Sequence, residues 1–400
     1  MRLRYGLIST DDHVQEHPSV WTDRLPRARW GDRVPHVRAM GDGTERWFVD
    51  EQPLDPPGVA IAAALMSDRN REPARWEDVP RAACDPAERL RAMDVDRVDA
   101  SVLYPTVAGV AGETFARLAD PELELACVQS YNDWLIDEWA AASDRFIPQC
   151  IIPLYDPETA AAEIRRAVAR GHGGVLMPAV PTDLKDVPHV NEPFWDPIWA
   201  ACQEAGVPVC FHAGASERIQ MRPFGGSAPA LTAAFKAMTR PASSVFVLVN
   251  FLMSRILHRF PSLHAVFSES GIGWAAYVLE YADHQFEKDH VYVEGYDLKP
   301  SEIFRRHCSL NGWYDAESVR TRSFIGVENI TWASNFPLAT STWPNTWRTF
   351  DRWPEMLDEE REKILWKNAA RIYRLDVQLD DASGGRPTAA TSAPKWGRSR

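Results

Sequence analysis

The sequence has no apolar run long enough to cross a bilayer, which takes about 20 residues in succession. Its N-terminus, MRLRYGLISTDDH, enters a strand-like segment without the apolar core of a signal peptide. Six cysteines occur without a C-x-x-C pair, and several lie in apolar runs such as PQCIIP and PVCFHAG. These absences predict a cytoplasmic protein with no membrane partner, whose cysteines are reduced core thiols.

Positive charge is also in short supply. The chain has 44 Lys and Arg against 56 Asp and Glu, which gives a net charge of -12. A surface that neutralises phosphates needs the opposite balance, so nucleic acid is not an expected partner. The 400 residues, 45% of them hydrophobic, can bury a large core. We expect a globular protein that acts on a small molecule, with a homodimer as the commonest oligomer for such chains.

Short β-branched or apolar runs alternate with helical patterns from residue 98 onward, which is typical of repeated βα units. Eight strands are predicted, at residues 4–10, 99–105, 146–154, 173–179, 208–214, 263–270, 307–313 and 329–336. The glycine-rich turn of a dinucleotide-binding sheet does not follow the first of them. The pattern therefore favours an α/β fold, a (β/α)8 TIM barrel over residues 1–375.

Two regions interrupt this alternation. Residues 15–90 separate the first two strands and are rich in Pro, Trp and charged residues, too long for a plain connection. We interpret this insertion as a cap over one mouth of the barrel. Residues 376–400 have the Gly, Pro, Ser and Thr content of a disordered tail.

Polar residues stand at the ends of four predicted strands, where the chemistry of such barrels takes place. Asp11 and His13 follow the first strand at a spacing that points both to one side, as two ligands of one cation require. His212 ends the fifth, Glu269 the sixth and Asn335 the eighth. Each alone also fits a solvated turn or a satisfied core residue. Together, their nitrogen and oxygen ligands suit one or two ions of Zn, Mn or Fe.

The segments ISTDDHVQE, DPIWAACQEAGVPVCFHAG, FPSLHAVFSESGIGW and ITWASNFPLATSTWP resemble the amidohydrolase-related family. This branch of the metal-dependent TIM-barrel hydrolases includes enzymes similar to aminocarboxymuconate-semialdehyde decarboxylase. The resemblance covers roughly residues 5–370. It implies that Asp11, His13 and His212 are metal ligands and that Glu269 stands at a position where the family has Glu or His.

Two positions depart from the family pattern. Asn335 stands where the family has an aspartate that binds metal and accepts a proton, and Leu338 stands where a histidine commonly follows the proline. An amide oxygen can bind a cation weakly, but it cannot accept a proton in the working pH range. We therefore expect Asn335 to be a hydrogen-bond donor or weak ligand, and Glu269 to be a ligand or a base.

The resemblance favours a metal-dependent hydrolase that cleaves an amide, ester or thioester of a small organic acid or natural-product-like molecule. A non-oxidative decarboxylase or hydratase of the same family is one alternative, and a metal-free ligand-binding barrel is another. The remaining candidate residues are Glu16 as a base, His189 in a loop after the fourth strand, Arg218 and Arg222 as anchors for a substrate carboxylate, and Trp343 in the pocket wall.

Overall fold

Eight parallel strands lie at the centre of the molecule, in a computed structural model that describes residues 1–54, 58–69, 71–215 and 228–379. Each strand pairs with the next along the chain. The strands are β1 (Ile8–His13), β2 (Ala100–Tyr104), β3 (Phe146–Cys150), β4 (Gly174–Leu176), β5 (Val209–His212), β6 (Ala265–Ser268), β7 (Cys308–Gly312) and β8 (Ile330–Trp332).

Helices connect the strands, as the alternating pattern predicts. The longer ones are Pro86–Asp96, Pro121–Trp134, Pro157–Arg170, Asp196–Ala205, Pro229–Thr239, Pro241–Met253, Gly273–Lys288 and Pro300–His307. Three begin with an Asp-Pro pair whose aspartate side chain, Asp85, Asp120 or Asp156, accepts a backbone N–H of the first turn. All strands of the barrel are buried, because helices cover the outside and side chains fill the inside. The predicted (β/α)8 barrel is confirmed.

The seam between β1 and β8 is held differently from the other strand pairs. In the described part of the chain, no ladder of backbone hydrogen bonds joins these two strands. Two backbone bonds connect them just above β8: the amide of His13 donates to the Phe336 carbonyl at 2.6 Å, and the amide of Asn335 donates to the Asp11 carbonyl at 3.0 Å. The first and last strands therefore meet at the rim that carries the candidate site.

The insertion after β1 has structure of its own. It contains a three-stranded antiparallel sheet, formed by His36–Ala39, Glu45–Val49 and Gln52–Pro53. The amide of Ala64 donates to the Pro337 carbonyl at 3.0 Å, which attaches the insertion to the chain after β8. Helix Pro86–Asp96 runs across the predicted end of the insertion at residue 90.

The last described residues form a short strand, because Gln378–Leu379 pairs in parallel with Arg2–Leu3. The predicted tail at 376–400 therefore contains this strand, and residues 380–400 lie outside the described residues. No described helix has the length and apolar character that a membrane span requires.

Candidate metal centre

Asp11, His13 and His212 meet at the C-terminal end of the barrel. Asp11 Oδ1 lies 3.5 Å from His13 Nε2 and 3.4 Å from His212 Nε2. All three side chains are at most 2% exposed. Asp11 and His13 reach the same place because they are two apart on β1, and His212 arrives as the last residue of β5. In the described ranges, this trio is the one set of His, Cys, Asp or Glu residues whose ligand atoms all lie within 4.8 Å of one another.

Among the residues that the structure describes, the atoms that face one another in the trio have no hydrogen-bond partner. These atoms are Asp11 Oδ1, His13 Nε2 and His212 Nε2, and all three are buried. The other nitrogens are held by backbone carbonyls: His212 Nδ1 lies 2.8 Å from the Ala213 oxygen and His13 Nδ1 lies 3.4 Å from that of Pro105. Buried polar atoms without partners are costly, and one carboxylate oxygen with two imidazole nitrogens is a donor set that fits a divalent transition metal.

The electrostatics of the trio favour a cation. Burial opposes the charged form of His212, but the negative charges of Asp11 and Glu269 outweigh it and raise its pKa to about 9. The pKa of His13 falls, because burial dominates and the charge of His212 adds to it. Asp11 and Glu269 thus place negative charge beside the two rings, and this charge attracts a cation as well as a proton.

Asn335 lies beside the trio, in the turn after β8. Its backbone has φ +57°. Its Nδ2 donates to Thr340 Oγ1 at 2.9 Å and to Glu269 Oε1 at 3.2 Å. These two acceptors fix the orientation of the amide, so its Oδ1 is the atom left buried without a partner in the described part of the chain. The sequence pattern extends β8 through this residue, whereas the strand ends at Trp332 and a turn presents the side chain.

Glu269 lies next to the Nδ1 side of the His212 ring, opposite the Nε2 atom that faces Asp11. Its Oε2 lies 3.6 Å from His212 Nδ1, and its Oε1 accepts a hydrogen bond from Arg240 Nη1 at 2.7 Å. It follows β6 with φ +52°, a conformation that an ordinary L-residue rarely adopts. The structure thus places this carboxylate next to the trio and not among its three ligand atoms.

Glu16 belongs to a different arrangement. Its carboxylate is fully buried and accepts the backbone N–H groups of Thr106, Val107 and Ala108 at 2.8–3.3 Å. Burial raises its pKa to about 7 in spite of these donors. The predicted base is therefore occupied in holding the loop after β2.

The other predicted residues lie further away or outside the described chain. His189 Nδ1 contacts Asn191 Oδ1 at 2.8 Å, and its ring packs against Phe246. Trp343 donates its indole N–H to the Ala92 carbonyl and lines a small cavity on the outer side of the barrel. Neither contacts the trio in the hydrogen bonds and ring contacts of the described residues. Arg218 and Arg222 both lie outside the described residues.

Two further residues, Tyr104 and Arg240, lie near the trio, and neither was predicted from the sequence. The ring centroid of Tyr104 is 5.0 Å from that of His212, and its hydroxyl bonds to Ser268 Oγ at 2.7 Å. It ends β2, so the rule of polar residues at strand ends would have found it. Arg240, in contrast, stands between two helices and has no signal in the sequence.

The sequence profile of the amidohydrolase family matches residues 17–375. The chain belongs to the amidohydrolase family. Gamma-resorcylate decarboxylase from Rhodococcus jostii (strain RHA1) is 26% identical over 320 residues, which are 75% of this chain and 91% of that protein.

Solved structures of amidohydrolases share the fold. An amidohydrolase from Mycobacterium avium subsp. paratuberculosis K-10 is 21% identical with a TM-score of 0.75, and the match covers 93% of this chain and 98% of the other. The 5-carboxyvanillate decarboxylase from Novosphingobium aromaticivorans DSM 12444, complexed with manganese and 4-hydroxy-3-methoxy-5-nitrobenzoic acid, is 18% identical with a TM-score of 0.63, covering 93% and 96%.

These relatives correct one prediction. The expected hydrolase, including its thioesterase form, is wrong, because the relatives with a named activity are decarboxylases. The sequence could not separate the two reactions, since both use the same kind of metal ligands. The chain remains an enzyme of the amidohydrolase superfamily.

Proposed function

We propose that this amidohydrolase is a metal-dependent decarboxylase of a phenolic aromatic carboxylate. The trio of Asp11, His13 and His212 carries the proposal, because its three ligand atoms are buried and bond to no other described residue. The names of its relatives, which act on gamma-resorcylate and 5-carboxyvanillate, supply the substrate class. Manganese is the ion to test first, because related decarboxylases were solved with it.

When bound to the trio, a divalent cation supplies the positive charge that holds and polarises an oxygen of the substrate. Arg240 supplies a second positive charge nearby. One of its nitrogens is occupied by Glu269, its side chain is 35% exposed, and a guanidinium has five N–H donors. We assign to Arg240 the binding of the substrate carboxylate or a phenolic oxygen, while the same role predicted for Arg218 and Arg222 stays a prediction.

Decarboxylation breaks the bond between the ring and the carboxyl carbon. Carbon dioxide leaves, the electron pair stays on the ring carbon, and that carbon then takes a proton. Asn335 has no proton to give in the working pH range. Glu269 contacts both Asn335 and His212, so we assign to it the transfer of this proton: its carboxylate first takes a proton from water and then gives that proton to the ring carbon.

The test begins with protein loaded with Mn²⁺ and assayed with gamma-resorcylate and 5-carboxyvanillate, measuring the phenolic product by chromatography and the released carbon dioxide. His212→Ala should lose both bound metal and activity. Glu269→Gln should keep the metal and lose about 100-fold or more in kcat, the usual worth of a general acid. Absence of product from the metal-loaded protein with these and other hydroxybenzoates would refute the function. A wild-type protein that binds no transition metal would favour the metal-free binding barrel.

A further inference from the structure

Asp12 stands between two residues of the trio, and its carboxylate is buried and fully used. Oδ1 accepts the hydroxyl of Ser9 at 2.9 Å, the amide of Phe336 at 3.0 Å and the hydroxyl of Ser334. Oδ2 accepts the hydroxyl of Ser101 at 2.5 Å. The side chain is 2% exposed. Four hydrogen bonds hold this buried carboxylate in one orientation, although it does not belong to the trio.

The donors of these hydrogen bonds come from β1, from β2 and from the segment after β8. Ser9 and Asp12 belong to β1, and Ser101 belongs to β2. Ser334 and Phe336 follow β8 and stand on either side of Asn335. The carboxylate therefore joins the segment that carries the β1 ligands to the turn after β8. It does so across the seam where the described residues form no strand ladder.

The neighbouring bonds strengthen the same connection. The Asn335 amide donates to the Asp11 carbonyl, and the His13 amide donates to the Phe336 carbonyl. From the outer side of the barrel, the buried guanidinium of Arg89 donates Nη2 to the His13 carbonyl at 2.7 Å and lies over the Phe336 ring at 4.4 Å. The backbone from residue 11 to residue 13 is thus fixed on both sides.

We propose that Asp12 is a positioning residue of the metal centre. By bonding across the seam, its carboxylate sets the separation between Asp11, His13 and the Asn335 turn, and so presets the trio for a cation. A metal site gains affinity when its ligands are already in place, and residues that orient ligands typically contribute about 10- to 100-fold to metal affinity. The proposal concerns metal binding and is independent of the reaction catalysed.

The test compares Mn²⁺ dissociation constants, measured by titration calorimetry on the full chain. Asp12→Ala should raise the constant by about tenfold or more. Ser334→Ala removes one donor from across the seam without touching a ligand, and should raise it by a smaller factor. The matched control is Thr10→Val: the Thr10 hydroxyl also crosses the seam, to Thr331 Oγ1 at 2.9 Å and the Trp332 carbonyl at 3.0 Å, but lower in the barrel. The control should lower the melting temperature and leave the Mn²⁺ constant unchanged.

If Asp12→Ala does not fold, Ser334→Ala tests the same connection, because it removes one of the hydrogen bonds to Asp12. The proposal is overturned if Ser334→Ala and every soluble Asp12 variant bind Mn²⁺ within twofold of the wild type, or if Thr10→Val weakens binding as much as they do. The second result would mean that metal affinity follows general stability and not the Asp12 contacts. Wild-type protein that fails to bind Mn²⁺ would overturn it as well.

Discussion

At the scale of single residues, position 335 has an amide where the resemblance implies an aspartate, and this difference removes a negative charge next to Glu269. Both Asn and Asp tolerate the left-handed backbone found there, so conformation does not explain why position 335 has an asparagine. The contact of its side chain with Glu269 gives a reason. Asn335 Nδ2 lies 3.2 Å from Glu269 Oε1, and a carboxylate at position 335 would place an oxygen at that distance from another. With glutamate at 269, the neutral amide supplies an attraction where an acid would supply repulsion.

Asn335→Asp should therefore destabilise the metal-free protein and tighten metal binding. The new carboxylate loses the hydrogen bonds of the amide and faces Glu269, at a cost of about 2 kcal/mol in the free energy of unfolding. A cation in the trio would offset this repulsion, so the rise in melting temperature on adding Mn²⁺ should be larger than in the wild type. Thermal melts with and without Mn²⁺, together with calorimetric titration, measure both effects.

The control for this substitution is Thr340→Val, which removes the other acceptor of the Asn335 amide without changing charge. It should leave the response to Mn²⁺ nearly unchanged. If Asn335→Asp binds Mn²⁺ with wild-type affinity, the side chain at position 335 lies outside the reach of the metal.

At the scale of elements, the loop after β2 is held by one side chain from the segment after β1. Glu16 accepts three successive backbone N–H groups, of Thr106, Val107 and Ala108. Such a nest of donors suits a carboxylate, which has two accepting oxygens and no donor. A glutamine would turn an NH2 group toward these N–H groups.

Glu16→Gln should lower the free energy of unfolding by about 1–3 kcal/mol, the cost of leaving a buried donor unpaired. The same change should speed amide hydrogen exchange in residues 105–112, measured by mass spectrometry. Glu122→Gln, an exposed glutamate that pairs with Arg29, is the control and should change neither quantity. A loss of kcat with unchanged stability and unchanged exchange would instead support the predicted role of Glu16 as a base.

The sequence predicts elements better than the contacts between them. Alternating apolar runs were enough to find all eight strands, and polar residues at strand ends were enough to bring Asp11, His13 and His212 together. The pattern could not show that Glu269 lies beside His212 Nδ1, because this position depends on a turn in which Glu269 has a positive φ. It could not indicate Arg240 either, whose position depends on how two helices pack.

At the scale of the whole molecule, the candidate metal centre and some of the residues that stabilise the fold lie at opposite ends of the barrel. The trio lies at the C-terminal ends of the strands, whereas His172 precedes β4 at the opposite end. Its Nε2 lies 3.0 Å from the Asn132 carbonyl, and the ring is 3% exposed. Residues at this end of such a barrel generally serve stability.

His172 should make the fold sensitive to acid without involving the metal centre. Burial lowers its pKa to about 4, against about 6.5 in the unfolded chain. Above pH 6.5 both states hold the neutral ring; as pH falls toward 4 the unfolded chain binds a proton that the folded one does not, so stability decreases. From pH 6.5 to 5 the free energy of unfolding decreases by about 2 kcal/mol.

His172→Gln tests this, because the glutamine can still donate to the Asn132 carbonyl. In this variant the free energy of unfolding in urea should depend less steeply on pH over this range, with up to one proton fewer taken up on unfolding. The exposed His284→Gln is the control. An unchanged slope in His172→Gln would show that other groups carry the acid sensitivity.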